Sequence, residues 1–214
     1  FRGDVIRYGQ QSAQPAEVLE VLSRRLADGA IVVDSTSLAE EVLGLYGRFA
    51  ESDSDGRLIT VNKPPLVTCG PEVFATLAKM RKRFGFAGTV MAGTGGVVDE
   101  ILTLSHTTDG VSKIEGCLSG TLGYLCQAME APGALDFSVI LEQARDKGYT
   151  ERDPRIDLGG WDVAKKLVIL ARAAGYNVSL SDVDVTPFIS RELSDDTRDV
   201  EEFMRKTRED RRID

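Results

Sequence analysis

From Pro15 the apolar positions Val18, Val21, Leu22 and Leu26 recur at spacings of three and four, which predicts one face of a helix that Gly29 stops. The short continuous apolar run from Ala30 to Asp34 predicts a strand buried on both faces of a parallel sheet. Ser35, Thr36 and Ser37 offer N-caps to a second helix, in which Leu38, Val42, Leu45, Tyr46 and Phe49 share a face. An acidic, glycine-containing loop at 51–56 leads to a strand at 57–61. A helix from near Pro71 then carries Val73, Phe74, Leu77 and Met80, and residues 86–91 read as a further strand. Strands alternating with helices predict an α/β fold, with ligands expected outside the carboxyl ends of the strands. Two polar clusters fall at that edge, Asp34-Ser-Thr-Ser37 and Val61-Asn-Lys63. A lysine directly after a strand also suits a solvated charge, and its place at the ligand edge is what singles Lys63 out.

Beyond Gly93 the alternation breaks down. The glycine-rich turn at 92–96, before Val97 to Leu102, has the strand–glycine–helix look of a phosphate loop. It fits neither GxGxxG nor GxxxxGK[ST], and glycines serving close packing explain it equally well. A strand is predicted over Val111 to Glu115, a helix opening at Ser119-Gly-Thr-Leu-Gly-Tyr, and another over Phe137 to Lys147 that Gly148 ends. Glu151, Asp153, Asp157 and Asp162 then follow in close succession, interleaved with Arg152, Arg155, Lys165 and Lys166. Asp162 and Lys166 stand at i and i+4 on a helix whose apolar face is read as Val163, Leu167 and Leu170. That spacing suits an exposed ion pair as well as a lysine held at the mouth of a cleft by a carboxylate. Residues 191–214 are mostly charged and read as a solvated helix or fraying tail. The change of pattern near residue 90 divides the chain into 1–90 and 91–214.

At 214 residues the chain has room for one large domain or two small ones. Its 26 Lys and Arg against 34 Asp and Glu give a net charge of −8, which argues against nucleic-acid and anionic-membrane partners. No apolar run approaches the roughly 18 residues of a membrane span, and FRGDVIRYGQ lacks a signal-peptide core. A cytoplasmic location is expected, although a removed transit peptide would leave no trace. Cys69, Cys117 and Cys126 form no CxxC pair and read as reduced thiols. With His106 the single histidine, a two-histidine metal site or relay within one chain is ruled out, and no metal site is expected.

The run GYTERDPRIDLGGWDVAKK, from Gly148 to Lys166, strongly resembles the signature of the homoserine dehydrogenases. VVDSTS at 32–37, VNK at 61–63, the glycine turn at 92–96 and GCLSGTLGYL at 116–125 follow in that family's order. The resemblance runs from about Ile31 to Phe203 and is closest to the dehydrogenase half of the bifunctional aspartokinase/homoserine dehydrogenases. It implies a partial Rossmann-type dinucleotide-binding domain over 1–90 and an α+β domain for substrate binding and dimerisation over 91–214. The implied activity is the NAD(P)-dependent interconversion of L-homoserine and L-aspartate 4-semialdehyde, on the route to threonine, methionine and isoleucine. The cofactor would be NADP or NAD, the substrate a small amino acid, and the assembly a homodimer. Thr36 would line the cofactor, and Lys63 would sit between cofactor and substrate. Gly148 and Glu151 would contact the substrate, Asp157 and Asp162 would surround its ammonium and hydroxyl, and Lys166 would donate the proton, with Lys63 the second catalytic residue.

The family also opens with a strand, a GxGxxG loop and a helix, and returns at its C-terminus to complete the cofactor domain. Neither piece is read in this sequence, so weak or absent dinucleotide binding is expected of this polypeptide. Val97 stands at the family's usual proline position in the glycine turn and Thr89 at its acidic position, so the family's monovalent-cation site is not carried over. Two other readings stay open. One is a non-catalytic relative that keeps the dimerisation and substrate region, and the other is a dehydrogenase for another small amino-acid aldehyde.

Overall fold

Gly29 stops helix α1 (Pro15–Ala27) in a left-handed turn at φ 83°, as the sequence predicts. There Gly29 N–H donates to Leu26 O and Ala30 N–H to Arg25 O, which satisfies the last carbonyls and sends the chain into β1 (Ile31–Asp34). The computed structural model describes residues 15–107, 110–190, 193 and 199–209. The chain divides into two compact units, Phe1–Thr89 and Val90–Asp214.

In the first unit β1 leads through α2 (Glu40–Ala50) to β2 (Arg57–Thr60), and α3 (Pro64–Thr68) and α4 (Pro71–Lys79) lead to β3 (Phe84–Gly85). The strands form a parallel sheet in the order β1-β2-β3, with Ile31 opposite Arg57, Asp34 opposite Thr60 and Leu58 opposite Phe84. The class is α/β. Strand alternation turns Val32, Asp34, Leu58 and Thr60 to one face, where Leu45, Tyr46, Phe49, Phe74 and Leu77 are also buried. Around Phe84 the rings of Tyr46 and Phe86 lie with centroids 6.0 and 5.6 Å away. Gly56 lets β2 pass α1, since a Cβ there would fall 2.0 Å from the Leu26 carbonyl oxygen.

Three local expectations are corrected. β1 is not buried on both faces: Ile31 is 58 % and Val33 62 % exposed, because α2 and the aromatic cluster cover only the opposite side. Ser35, Thr36 and Ser37 do not cap α2, whose N-cap is Ala39, because Thr36 turns back to Asp34. The strand expected at 86–91 does not form: β3 ends at Gly85, and 3-10 turns follow at Ala87–Thr89 and Met91–Gly96. Thr89 Oγ1 donates to Phe86 O at 2.7 Å and closes the turn that a strand would leave open.

The second unit carries α5 (Val97–Leu104), α6 (Gly120–Met129), α7 (Phe137–Asp146), α8 (Pro154–Leu158), α9 (Trp161–Ala173) and α10 (Val200–Glu209). Its core joins Leu125 of α6, Phe137, Ile140 and Leu141 of α7, Leu158 of α8, and Phe203 and Met204 of α10. Residues 111–115, expected as a strand, have no regular secondary structure, because the described residues of this unit provide no strand to pair with. The charged C-terminal stretch is not a wholly solvated helix: α10 buries Phe203, Met204 and Thr207 while its Glu201 meets Arg145 and its Arg208 meets Glu142, each at 2.7 Å. The remainder of that expectation, at 191–192, 194–198 and 210–214, lies outside the described residues. On α9 the buried positions are Ala164, Val168, Ile169, Leu170, Arg172 and Ala173, whereas Leu167, read as core, is exposed. No helix among the described residues is long and apolar enough to cross a membrane.

Candidate active site

At the carboxyl end of the first unit's sheet, the two polar clusters meet through the buried carboxylate of Asp34. Its Oδ1 accepts from Thr36 N–H at 3.0 Å and from Thr36 Oγ1 at 2.8 Å. Its Oδ2 lies 2.8 Å from the Tyr46 hydroxyl and accepts from Asn62 Nδ2 at 3.1 Å. The Tyr46 hydroxyl is also 2.7 Å from Thr60 Oγ1. A phenol has one proton, and the carboxylate is the stronger acceptor, so Tyr46 donates to Asp34 and Thr60 completes the contact. Burial pushes the Tyr46 phenol far above its usual ionisation range, so it stays a donor. Asn62, 2 % exposed, also donates to Thr36 Oγ1 and Leu38 O, and its own N–H donates to Thr60 Oγ1 at 2.9 Å. Thr36 is exposed and Lys63 half-buried, Lys63 forming the N-cap residue of α3 ahead of Pro64.

In the second unit Gly148, at φ 72°, turns the chain from α7 into Tyr149-Thr150-Glu151. Asp157 on α8 reaches back to that loop: its Oδ2 accepts from Glu151 N–H at 2.8 Å, and its Oδ1 lies 3.0 Å from Thr121 Oγ1, which also meets Tyr149 O at 2.7 Å. Burial raises the Asp157 carboxyl above the usual carboxylate range, with the neighbouring Glu151 and Asp162 charges adding to the rise and the hydrogen bonds opposing it. Gly160, at φ 77°, opens α9 and places Asp162 and Lys166 one turn apart. Lys166 Nζ lies 2.7 Å from Asp162 Oδ2 and donates to Leu118 O at 2.7 Å. Side-chain exposures of 13 % for Lys166 and 26 % for Asp162 exclude the freely solvated pair that the spacing also allowed. Asp153 takes a separate part. It caps α8, and Arg155 grips its carboxylate with Nε at 2.9 Å and Nη2 at 2.7 Å, which lowers its pKa.

Thr36 and Lys63 thus belong to the first unit, and Gly148, Glu151, Asp157, Asp162 and Lys166 to the second. Sequence reasoning missed Tyr46, Thr60 and Asn62 as partners of Asp34, and Thr121 and the Leu118 carbonyl as partners of Asp157 and Lys166. A strand ending in aspartate at the ligand edge was the available signal for the first group. The second group had only its place in the segment that opens α6.

A family model for homoserine dehydrogenase matches residues 97–212, more than half of the chain. The chain belongs to the homoserine dehydrogenase family. The bifunctional aspartokinase/homoserine dehydrogenase of Haemophilus influenzae is 34 % identical over 202 residues, covering 91 % of this chain and 24 % of that protein. Among solved structures, a Candida auris protein of unknown function superposes with a TM-score of 0.73 at 31 % identity, covering 93 % of this chain and 56 % of that one. The homoserine dehydrogenase of Thiobacillus denitrificans superposes with a TM-score of 0.60 at 26 % identity, over 85 % of this chain and 40 % of that one. The α/β fold with a parallel, Rossmann-type sheet is that of the homoserine dehydrogenase structures. The chain spans about a quarter of the bifunctional relative and about half of the Candida auris structure.

Proposed function

We propose that this chain carries out the reducing step of a homoserine dehydrogenase, the interconversion of L-aspartate 4-semialdehyde and L-homoserine with NADP or NAD. The observation that carries the reading is Lys166, held by the Asp162 carboxylate and the Leu118 carbonyl. Adding hydride to an aldehyde carbon leaves an alkoxide oxygen. A fixed ammonium at that oxygen lowers the barrier by stabilising the charge and supplying the proton. Lys166 takes this role, with Asp162 keeping its ammonium aimed. Glu151, Asp157 and the Gly148 turn hold the amino-acid end, two carboxylates suiting a substrate ammonium. The sheet edge of the first unit fits the nicotinamide end of a dinucleotide, since Thr36 is presented there on a loop tied to Asp34 and Lys63 follows Asn62. Bound dinucleotide supplies the hydride. Thr36 and Lys63 orient the ring, and Lys63 also serves as the second acid–base group. The second unit is the proposed contact of a homodimer, on the strength of family membership. The intact polypeptide, meaning the full-length protein with whatever dinucleotide-gripping segment this sequence does not carry, should oxidise NADPH, followed at 340 nm, only when L-aspartate 4-semialdehyde is added. An intact polypeptide without that turnover overturns the reading, and a monomer by light scattering at micromolar concentration overturns the dimer.

A further inference from the structure

Asp34 is a buried carboxylate held without a cation in hydrogen-bonding contact among the described residues, and such a charge is tolerated only where donors replace the water it has lost. Here four donors do so, and they come from three separate segments: Thr36 N–H and Oγ1 from the loop after β1, Tyr46 from α2, and Asn62 from the turn after β2. Apolar residues of the same volume would fill the site at no desolvation cost, so stability alone does not account for the arrangement. What the carboxylate does mechanically is tie two loops together. One carries Thr36 and the other ends in Asn62, the residue directly before Lys63. Asn62 repeats the tie from its own side by donating to Thr36 Oγ1 at 3.2 Å and Leu38 O at 2.8 Å.

We infer that Asp34 and Tyr46 are positioning residues, which act through this network to hold Thr36 and Lys63 as a matched pair at the dinucleotide edge. The inference rests on the dehydrogenase reading above. Tyr46→Phe removes one donor and keeps the ring that packs on Phe84. Asp34→Asn turns an amide N–H₂ toward groups that themselves donate. Leu45→Ala, on the same helix and equally buried, is the control for stability alone. In the intact polypeptide, Tyr46→Phe should weaken NADPH binding, titrated by its fluorescence, about tenfold, the scale of one lost hydrogen bond. It should also shift the Thr36 methyl resonance, and Asp34→Asn should weaken binding further. Leu45→Ala should lower the melting temperature while its NADPH dissociation constant stays within about twofold of the wild type. Unchanged affinity in Tyr46→Phe, a Thr36 methyl that does not move, or equal weakening in Leu45→Ala overturns the positioning role. A full-length wild-type protein that binds no NADPH is a different result: it overturns the dehydrogenase reading and removes the positioning role with it. Should Asp34→Asn fail to fold, Tyr46→Phe decides the question on its own.

Discussion

Two adjacent lysines on α9 experience different surroundings although the chain presents them as a pair. Lys166 is tied to Asp162 and Leu118 O, whereas Lys165 is turned about 100° round the helix from it. Lys166→Ala should therefore lower kcat for semialdehyde reduction by about 10²-fold or more, the scale of a positioned general acid, with Lys165→Ala near wild type. Steady-state kinetics on the two variants side by side check this, and equal activities would remove Lys166 from the mechanism. Asp157 gives a second prediction. Because its folded pKa is raised, chiefly by burial, the folded state holds the proton to higher pH than the unfolded chain does. Its contribution to stability is therefore fullest below the ordinary carboxylate value, about pH 4, and is lost as pH rises through the raised value. Asp157→Asn can still accept from Glu151 N–H and donate to Thr121 Oγ1. Its melting temperature should consequently fall less than the wild type's over that rise, in scans at stepped pH. The Asp162–Lys166 pair was legible in the sequence because a helix brings i and i+4 together. The Asp34 network was not, since Tyr46 and Asn62 lie 12 and 28 positions away and only the folded sheet joins them.

Elements that bury a periodic face were the easiest to anticipate. Val42, Leu45, Tyr46 and Phe49 of α2 are all buried as their spacing predicts, whereas Leu38, read on the same face, precedes the Ala39 N-cap and is exposed. Strands were harder, because a strand is defined by its neighbour: residues 111–115 have a strand's composition and no ladder, and the 86–91 run turns away after β3, its Thr89 hydroxyl donating to Phe86 O. The helix α10 hid its role differently, its charges masking three buried side chains. Phe203 is fully buried in the core shared with α7, under the Arg155 guanidinium 5.7 Å from its ring centre. Phe203→Ala should cost about 3–5 kcal/mol by chemical denaturation, far beyond what a solvated helix would lose. At the other end of the chain, Gly56→Ala would drive a Cβ into the α1 backbone and should destabilise at the upper end of the roughly 1–3 kcal/mol of overpacked sites.

Across the whole molecule, the proposed roles divide between the units, hydride-side groups in the first and the proton donor and substrate carboxylates in the second. The one-sided sheet has a further effect, on how the polypeptide behaves in concentrated solution. Ile31, Val33, Ile59 and Val61 form an exposed apolar row on a chain of net charge −8. Attraction between such rows and repulsion between like-charged copies then oppose one another, and the medium sets which prevails. Added salt screens the repulsion, and acidification toward the carboxylate range neutralises it. Dynamic light scattering of this polypeptide should show its hydrodynamic radius growing under either change, and Val33→Lys, which interrupts the row at an exposed position, should restrain that growth without lowering the melting temperature by more than a few degrees. The face of the sheet left exposed among the described residues thus makes colloidal stability a matter of buffer composition.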